Sequence, residues 1–180
     1  MTLRKDAPVL HVDWIALPQA GWIGMTHCPG RRGLDSEGHD WRRDLRADLD
    51  RLIGLGTTTL VTLIEEHEFE TLGVPDLPRL AASGLVWIHI PVANMAAPDP
   101  RSLRAWRSAR DPLLNRLRAD ERVVFHCAAG LGRTGAFVAK LLVDVYGVQG
   151  SEALRRVRAA RPGTIESAPQ EAFVRGPHLL

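Results

Sequence analysis

A chain of 180 residues has the length of one globular domain, and an apolar content of 45% supplies an ordinary core. Its 23 Lys and Arg nearly balance 21 Asp and Glu, and a net charge of +2 excludes a strongly basic nucleic-acid binder. Two cysteines exclude a disulfide framework and fit a reducing, cytoplasmic setting, and neither an apolar leader nor a run of membrane-spanning length points to a membrane.

Residues 1–20 carry Pro8 and Pro18 without periodicity and predict an irregular arm laid on the core through Trp14, Ile15 and Leu17. Residues 22–25 are a short strand. The stretch 28–38 after it is loop, with Arg31 and Arg32 as solvated charges or as a second anion contact. From His39 to Gly54, apolar residues at Trp41, Leu45, Leu49, Leu52 and Ile53 mark one helical face, with Asp40 as its N-cap. Residues 57–64 form a β-branched run, the pattern of a strand buried on both faces. Glu65, Glu66, His67 and Glu68 follow at its carboxyl end, where ligands of open α/β sheets gather, and read as a solvated turn into a short helix or as acid–base groups.

A short helix over 75–83 and a strand over 85–92 come next, with His89 as a core histidine. The loop 93–100 holds Asn94 and Asp99. An amphipathic helix then buries Leu103, Trp106, Leu113, Leu114 and Leu117, and Pro112 is expected to bend or split it. A strand over 122–127 leads into a helix over 135–145 that is apolar on nearly all sides. Ser151 is the expected cap of a helix whose Arg155, Arg156, Arg158 and Arg161 read as a surface face. A last helix spans 167–174, and 176–180 is a frayed tail. The whole predicts one α/β domain over residues 1–180, a central mostly parallel sheet flanked by helices, with no metal spacing and no cofactor.

The stretch Val123-Val124-Phe125-His126-Cys127-Ala128-Ala129-Gly130-Leu131-Gly132-Arg133-Thr134-Gly135 carries the chemistry. A strand that turns through small residues into a helix presents successive backbone N–H groups and the positive end of a helix dipole, a cup for a tetrahedral anion. Ala128, Ala129, Gly130, Leu131 and Gly132 would line it, and Arg133 would hold two phosphoryl oxygens in its planar fork. A thiol beside a cation at a helix N-terminus ionises readily, so Cys127 is expected to be a thiolate nucleophile. Thr134 would donate its hydroxyl when sulfur leaves. A buried structural cysteine is the alternative.

His126-Cys127 through Arg133-Thr134-Gly135 resembles the H-C-x5-R-[S/T] signature of the protein tyrosine phosphatase superfamily. Arg161-Pro162-Gly163-Thr164-Ile165-Glu166 before Gln170 resembles its dual-specificity branch typified by the cyclin-dependent kinase inhibitor 3 phosphatase. The resemblance implies hydrolysis of a phosphomonoester, on phosphorylated protein or a small molecule, through a phosphocysteine. It also implies that His126 supports the thiolate and that Gln170 orients the hydrolytic water. Asn94 stands on the substrate side where that branch has a general-acid aspartate. Asp99 is then either a substitute acid or a helix N-cap, and a third possibility is departure with less help. The single tyrosine, Tyr146, and a cup without lysine point to a shallow pocket for phosphotyrosine, with phosphoserine and phosphothreonine open. A weakly catalytic phosphate-binding module and a rhodanese-type sulfurtransferase are the rival readings.

Overall fold

The computed structural model describes residues 9–179, so part of the expected arm and Leu180 lie outside the described residues. In chain order these residues form β1 (Asp13–Ala16), β2 (Trp22–Thr26), β3 (Arg32–Leu34), β4 (Asp40–Arg42), α1 (Leu45–Gly54), β5 (Thr57–Thr62) and α2 (Glu66–Thr71). There follow α3 (Leu77–Ala82), β6 (Val86–His89), α4 (Pro100–Arg118), β7 (Arg122–His126), α5 (Gly132–Tyr146), α6 (Gly150–Ala160) and α7 (Ala168–Arg175).

Five strands make one sheet in the order β1-β2-β7-β5-β6, parallel except where β1 runs against β2. The central β7 is sealed on both sides, with Val123, Val124, Phe125 and His126 at 0% exposure, which is why its sequence has no polar alternation. The β-branched run of β5 lies beside it, Thr62 opposite His126. α5 packs on β2 and β7, α4 packs on β7, and Trp106 of α4 meets Phe137 of α5 edge-on with ring centroids 5.9 Å apart. α6 and α7 cover α5, and α1 lies against β5 and α3. The expected α/β architecture is therefore present.

Five local expectations are corrected. The arm contains β1, an edge strand too short and too weakly buried to show alternation. The stretch read as loop and helix start is a β3–β4 hairpin. Trp41 donates to Asp35 within it at 2.9 Å, so α1 starts later and Asp44, not Asp40, caps it by accepting from the N–H of Ala47 at 2.8 Å. α4 runs unbroken through Pro112, because that residue lies on the exposed side while Leu113, Leu114 and Leu117 hold the helix to the core. α6 starts one residue before Ser151, with Gln149 as its cap and the Gln149 carbonyl bound by the N–H of Ala153 at 2.8 Å. The tail is tied down through Leu179, since Lys140 Nζ donates to the carbonyls of Gly176 at 2.9 Å and Pro177 at 2.8 Å, and Leu179 N–H donates to Asp144 at 3.0 Å.

Candidate active site

The loop 127–131 joins the carboxyl end of β7 to the N-terminus of α5, at the edge where parallel sheets place their ligands. Gly130 makes its path possible. It has φ +70°, and a Cβ there would stand 2.1 Å from the carbonyl oxygen of Thr26, so only glycine lets the loop close onto the end of β2. Cys127 leads the loop, 4% exposed, and Arg133 and Thr134 sit in the first turn of α5, buried.

Arg133 is held from behind. Its Nη1 and Nη2 donate to the two carboxylate oxygens of Glu68 at 2.6 and 2.9 Å, and Nη1 also donates to the carbonyl of Val92 at 2.9 Å. That end-on grip leaves the Nε edge of the guanidinium without a protein partner. Burial works against the charge of Arg133, but Glu68 and the adjacent Cys127 outweigh it and raise its pKa. Burial likewise opposes ionisation of Glu68, and the bonds from Arg133 still hold its carboxyl below the usual range. Glu68 also accepts the backbone N–H of Glu65 at 2.8 Å, while Glu65 pairs with Arg101 at 2.8 Å. The acidic cluster is therefore not a solvated turn at Glu68. Its role is invisible in sequence because the partner is 65 residues away.

Two further buried donors near the loop lack protein partners. Thr134 Oγ1 is one. Gln170 Nε2 is the other. The Gln170 Oε1 accepts from the N–H groups of Glu166 at 2.8 Å and Ser167 at 3.3 Å, and the amide lies against Gly132, where a Cβ would meet the Glu166 carboxylate at 2.5 Å, Gln170 Nε2 at 2.7 Å and Oε1 at 2.8 Å. Gln170 thus packs against the start of α5.

His126 meets Cys127 through its backbone. Its Nδ1 lies 3.1 Å from the Cys127 carbonyl, which only accepts, so Nδ1 carries the proton. Nε2 then accepts from Thr62 Oγ1 at 2.7 Å, and Thr62 accepts from Trp87 Nε1 at 2.9 Å. Burial lowers the His126 pKa to about 4, so the ring is neutral and bears on Cys127 through the bond to its carbonyl rather than through a charge. Arg31, read as a solvated charge or a second anion contact, is 8% exposed; its Nη1 donates to the Ala128 carbonyl at 3.3 Å and its guanidinium lies 4.8 Å over Trp41.

The model of the Swiss Army Knife protein DSP-PTPase phosphatase domain, PTP-SAK, matches residues 41–174. The chain belongs to this DSP-PTPase family. Human cyclin-dependent kinase inhibitor 3 is 24% identical over 180 residues, 96% of this chain and 80% of its own length. The tyrosine-protein phosphatase CDC14 of Saccharomyces cerevisiae is 26% identical over 108 residues, 60% of this chain and 17% of its own length. The crystal structure of kinase associated phosphatase with serine in place of its catalytic-site cysteine shares the fold, with a TM-score of 0.83 at 22% identity over 94% of both chains.

In this DSP-PTPase domain the loop after β6 carries Asn94, which is exposed, and Asp99. Asp99 is the N-cap of α4, accepting from Ser102 N–H at 2.8 Å and Ser102 Oγ at 2.9 Å. Those bonds lower its pKa. The single hydroxyl proton of Ser102 is shared between Asp99 and the Pro91 carbonyl, fastening the loop to the sheet end. Among the described residues no helix is long and apolar enough to cross a membrane.

Proposed function

We propose that this phosphatase domain hydrolyses phosphomonoesters through a phosphocysteine on Cys127. The observation that carries the reading is a set of buried donors without protein partners, Arg133 Nε, Thr134 Oγ1 and Gln170 Nε2, gathered around the loop that Cys127 leads. Thr57 Oγ1, Thr59 Oγ1 and Trp106 Nε1 are also buried without partners away from the loop, so it is the grouping of three such donors at one loop that needs a reason; a phosphoryl group supplies one. The Cys127 sulfur attacks phosphorus in line and the S–P bond forms as the ester O–P bond breaks. The Nε edge of Arg133 and the loop N–H groups hold the equatorial oxygens. Water positioned by Gln170 then attacks phosphorus, and Thr134 donates to the departing sulfur.

Asn94 offers no titratable proton, and the bonds at Asp99 keep it ionised as a cap, so the leaving oxygen departs with little proton donation. This favours phosphotyrosine and other aryl phosphates, on a protein or a small molecule, over phosphoserine and phosphothreonine, whose alkoxides leave less readily. The same feature supports a second reading, a phosphate-binding module with negligible turnover. The sulfurtransferase reading finds no support in the DSP-PTPase match.

The experiment is p-nitrophenyl phosphate hydrolysis with tungstate binding measured alongside. Cys127→Ser is expected to abolish turnover and keep tungstate bound, and Arg133→Ala to lose both. Near wild-type turnover by Cys127→Ser overturns the nucleophile assignment, and a wild type that binds tungstate without turnover establishes the second reading.

A further inference from the structure

We propose that Arg161 is a positioning residue that holds the backbone N–H donors of the loop 127–131 turned inward, with Asp13 holding Arg161; this rests on the oxyanion cup described above. Arg161 follows the last turn of α6; in sequence it belongs to a run of arginines read as a surface face and to the stretch 161–166 that carries the resemblance, and neither assigns it this role. Arg155 and Arg156 do face outward onto Glu152. Arg161 does not. Its Nε donates to the Gly130 carbonyl at 2.8 Å, Nη2 donates to the Ala129 carbonyl at 3.0 Å, and Nη1 pairs with Asp13 of β1 at 2.7 Å. The side chains of Arg161 and Asp13 are 14% and 20% exposed.

The geometry of the peptide bond gives these contacts their meaning. In a trans peptide the C=O of one residue and the N–H of the next point in opposite directions, and no cis bond occurs among the described residues. A carbonyl drawn outward therefore turns the following N–H inward. The Ala129 and Gly130 carbonyls lie on Arg161, which sets the N–H groups of Gly130 and Leu131. The Ala128 carbonyl is bound by Cys28 N–H at 3.1 Å and by Arg31 at 3.3 Å, which sets the N–H of Ala129. Three successive donors are aligned, two of them by one guanidinium.

The anchor is itself fixed. Thr164 Oγ1 donates to the Arg161 carbonyl at 2.9 Å, and Ile165 N–H donates to the Leu131 carbonyl at 3.3 Å, so the segment after α6 is bolted to the start of α5. The arrangement needs the fork of Arg161 and not only its charge. An ammonium is a point donor and does not reach two adjacent carbonyls and a carboxylate in one plane. Arg161→Lys therefore separates positioning from electrostatic attraction, and Asp13→Asn loosens the fork while keeping the guanidinium.

The test uses the full chain, with tungstate binding by titration calorimetry and p-nitrophenyl phosphate kinetics for wild type, Arg161→Lys and Asp13→Asn. A misaligned donor loses more in the transition state than in the ground state. Arg161→Lys is expected to weaken tungstate by at least about tenfold and to lower kcat with KM little changed, with Asp13→Asn weaker in the same direction. An Arg161→Lys variant within about twofold of wild type in both measurements overturns the proposal. If that variant does not fold, Asp13→Asn decides by the same limit. A wild type that binds tungstate but does not turn over fails the phosphatase reading alone, and the variants are then judged by binding. A wild type that binds no tungstate overturns both.

Discussion

Single side chains at this site are set by burial as much as by charge. The His126 ring is fully buried and neutral, its pKa lowered to about 4 by burial first. His27, beside the loop, is lowered to about 3, again by burial first and then by Arg43, Arg161 and Arg31. An imidazole in the unfolded chain takes up its proton near about 6.5. Both folded values lie below that, so the unfolded chain binds more protons under pH 6.5. Stability is therefore full above about 6.5 and falls as the pH drops toward about 4, by up to about 1.4 kcal/mol per pH unit for each group. Denaturant midpoints at pH 7 and pH 5 measure it. His126→Gln is expected to remove one group's share of the slope, and a wild-type midpoint that is flat across this range contradicts the neutral burial of both rings.

At the scale of elements, the decisive question is whether Asp99 serves α4 as a cap or the reaction as an acid. Asn caps helices about as well as Asp, so Asp99→Asn removes the acid and keeps the cap. We expect it to change neither melting temperature nor rate, and Asn94→Asp to accelerate poor leaving groups, where a general acid contributes about 10² to 10⁴. Rates across aryl phosphates of graded leaving-group pKa check this; a selective loss on poor leaving groups in Asp99→Asn would make Asp99 the acid. The sequence is informative about these elements unevenly. The strand–loop–helix around Cys127 is readable because its geometry is local: a buried β-branched strand, small residues and a helix start all fall within thirteen residues. Gln170 is named by resemblance alone, and it packs against Gly132 at the start of α5. Glu68, Thr62, Trp87 and Arg161 are not readable as site neighbours, because each meets the loop through the sheet or across a helix end. β1 escapes for another reason, since an edge strand of four residues, three partly buried and one exposed, has no pattern to read. Pro112 misleads because propensity is a local quantity, and packing of Leu113, Leu114 and Leu117 overrides it.

Across the whole molecule, α5 links the chemistry at one end to the chain's carboxyl-terminal segment at the other. Arg133 stands in its first turn and Lys140 about 10 Å further along the axis. The Lys140 and Asp144 side chains are each 2% exposed and pair at 3.2 Å, and together they bind the carbonyls of Gly176 and Pro177 and the N–H of Leu179. Phe173 of α7 lies 5.8 Å below the ammonium. Removing one member of a buried pair costs about 3 to 5 kcal/mol because the other charge is left behind, whereas replacing both with apolar groups of similar volume is often nearly neutral. Lys140→Met is therefore expected to destabilise the protein by about 3 kcal/mol, and Lys140→Met with Asp144→Leu to recover much of that loss. At temperatures where both variants are folded, kcat on p-nitrophenyl phosphate should match wild type, since two turns of rigid helix separate the pair from the cup. Urea unfolding of wild type, Lys140→Met, Asp144→Leu and the double variant, read with the kinetics, checks the argument. A kcat that falls in Lys140→Met while the protein is still folded would mean that the tail contact reaches the cup, and α5 would then be a coupling element rather than a fixed post.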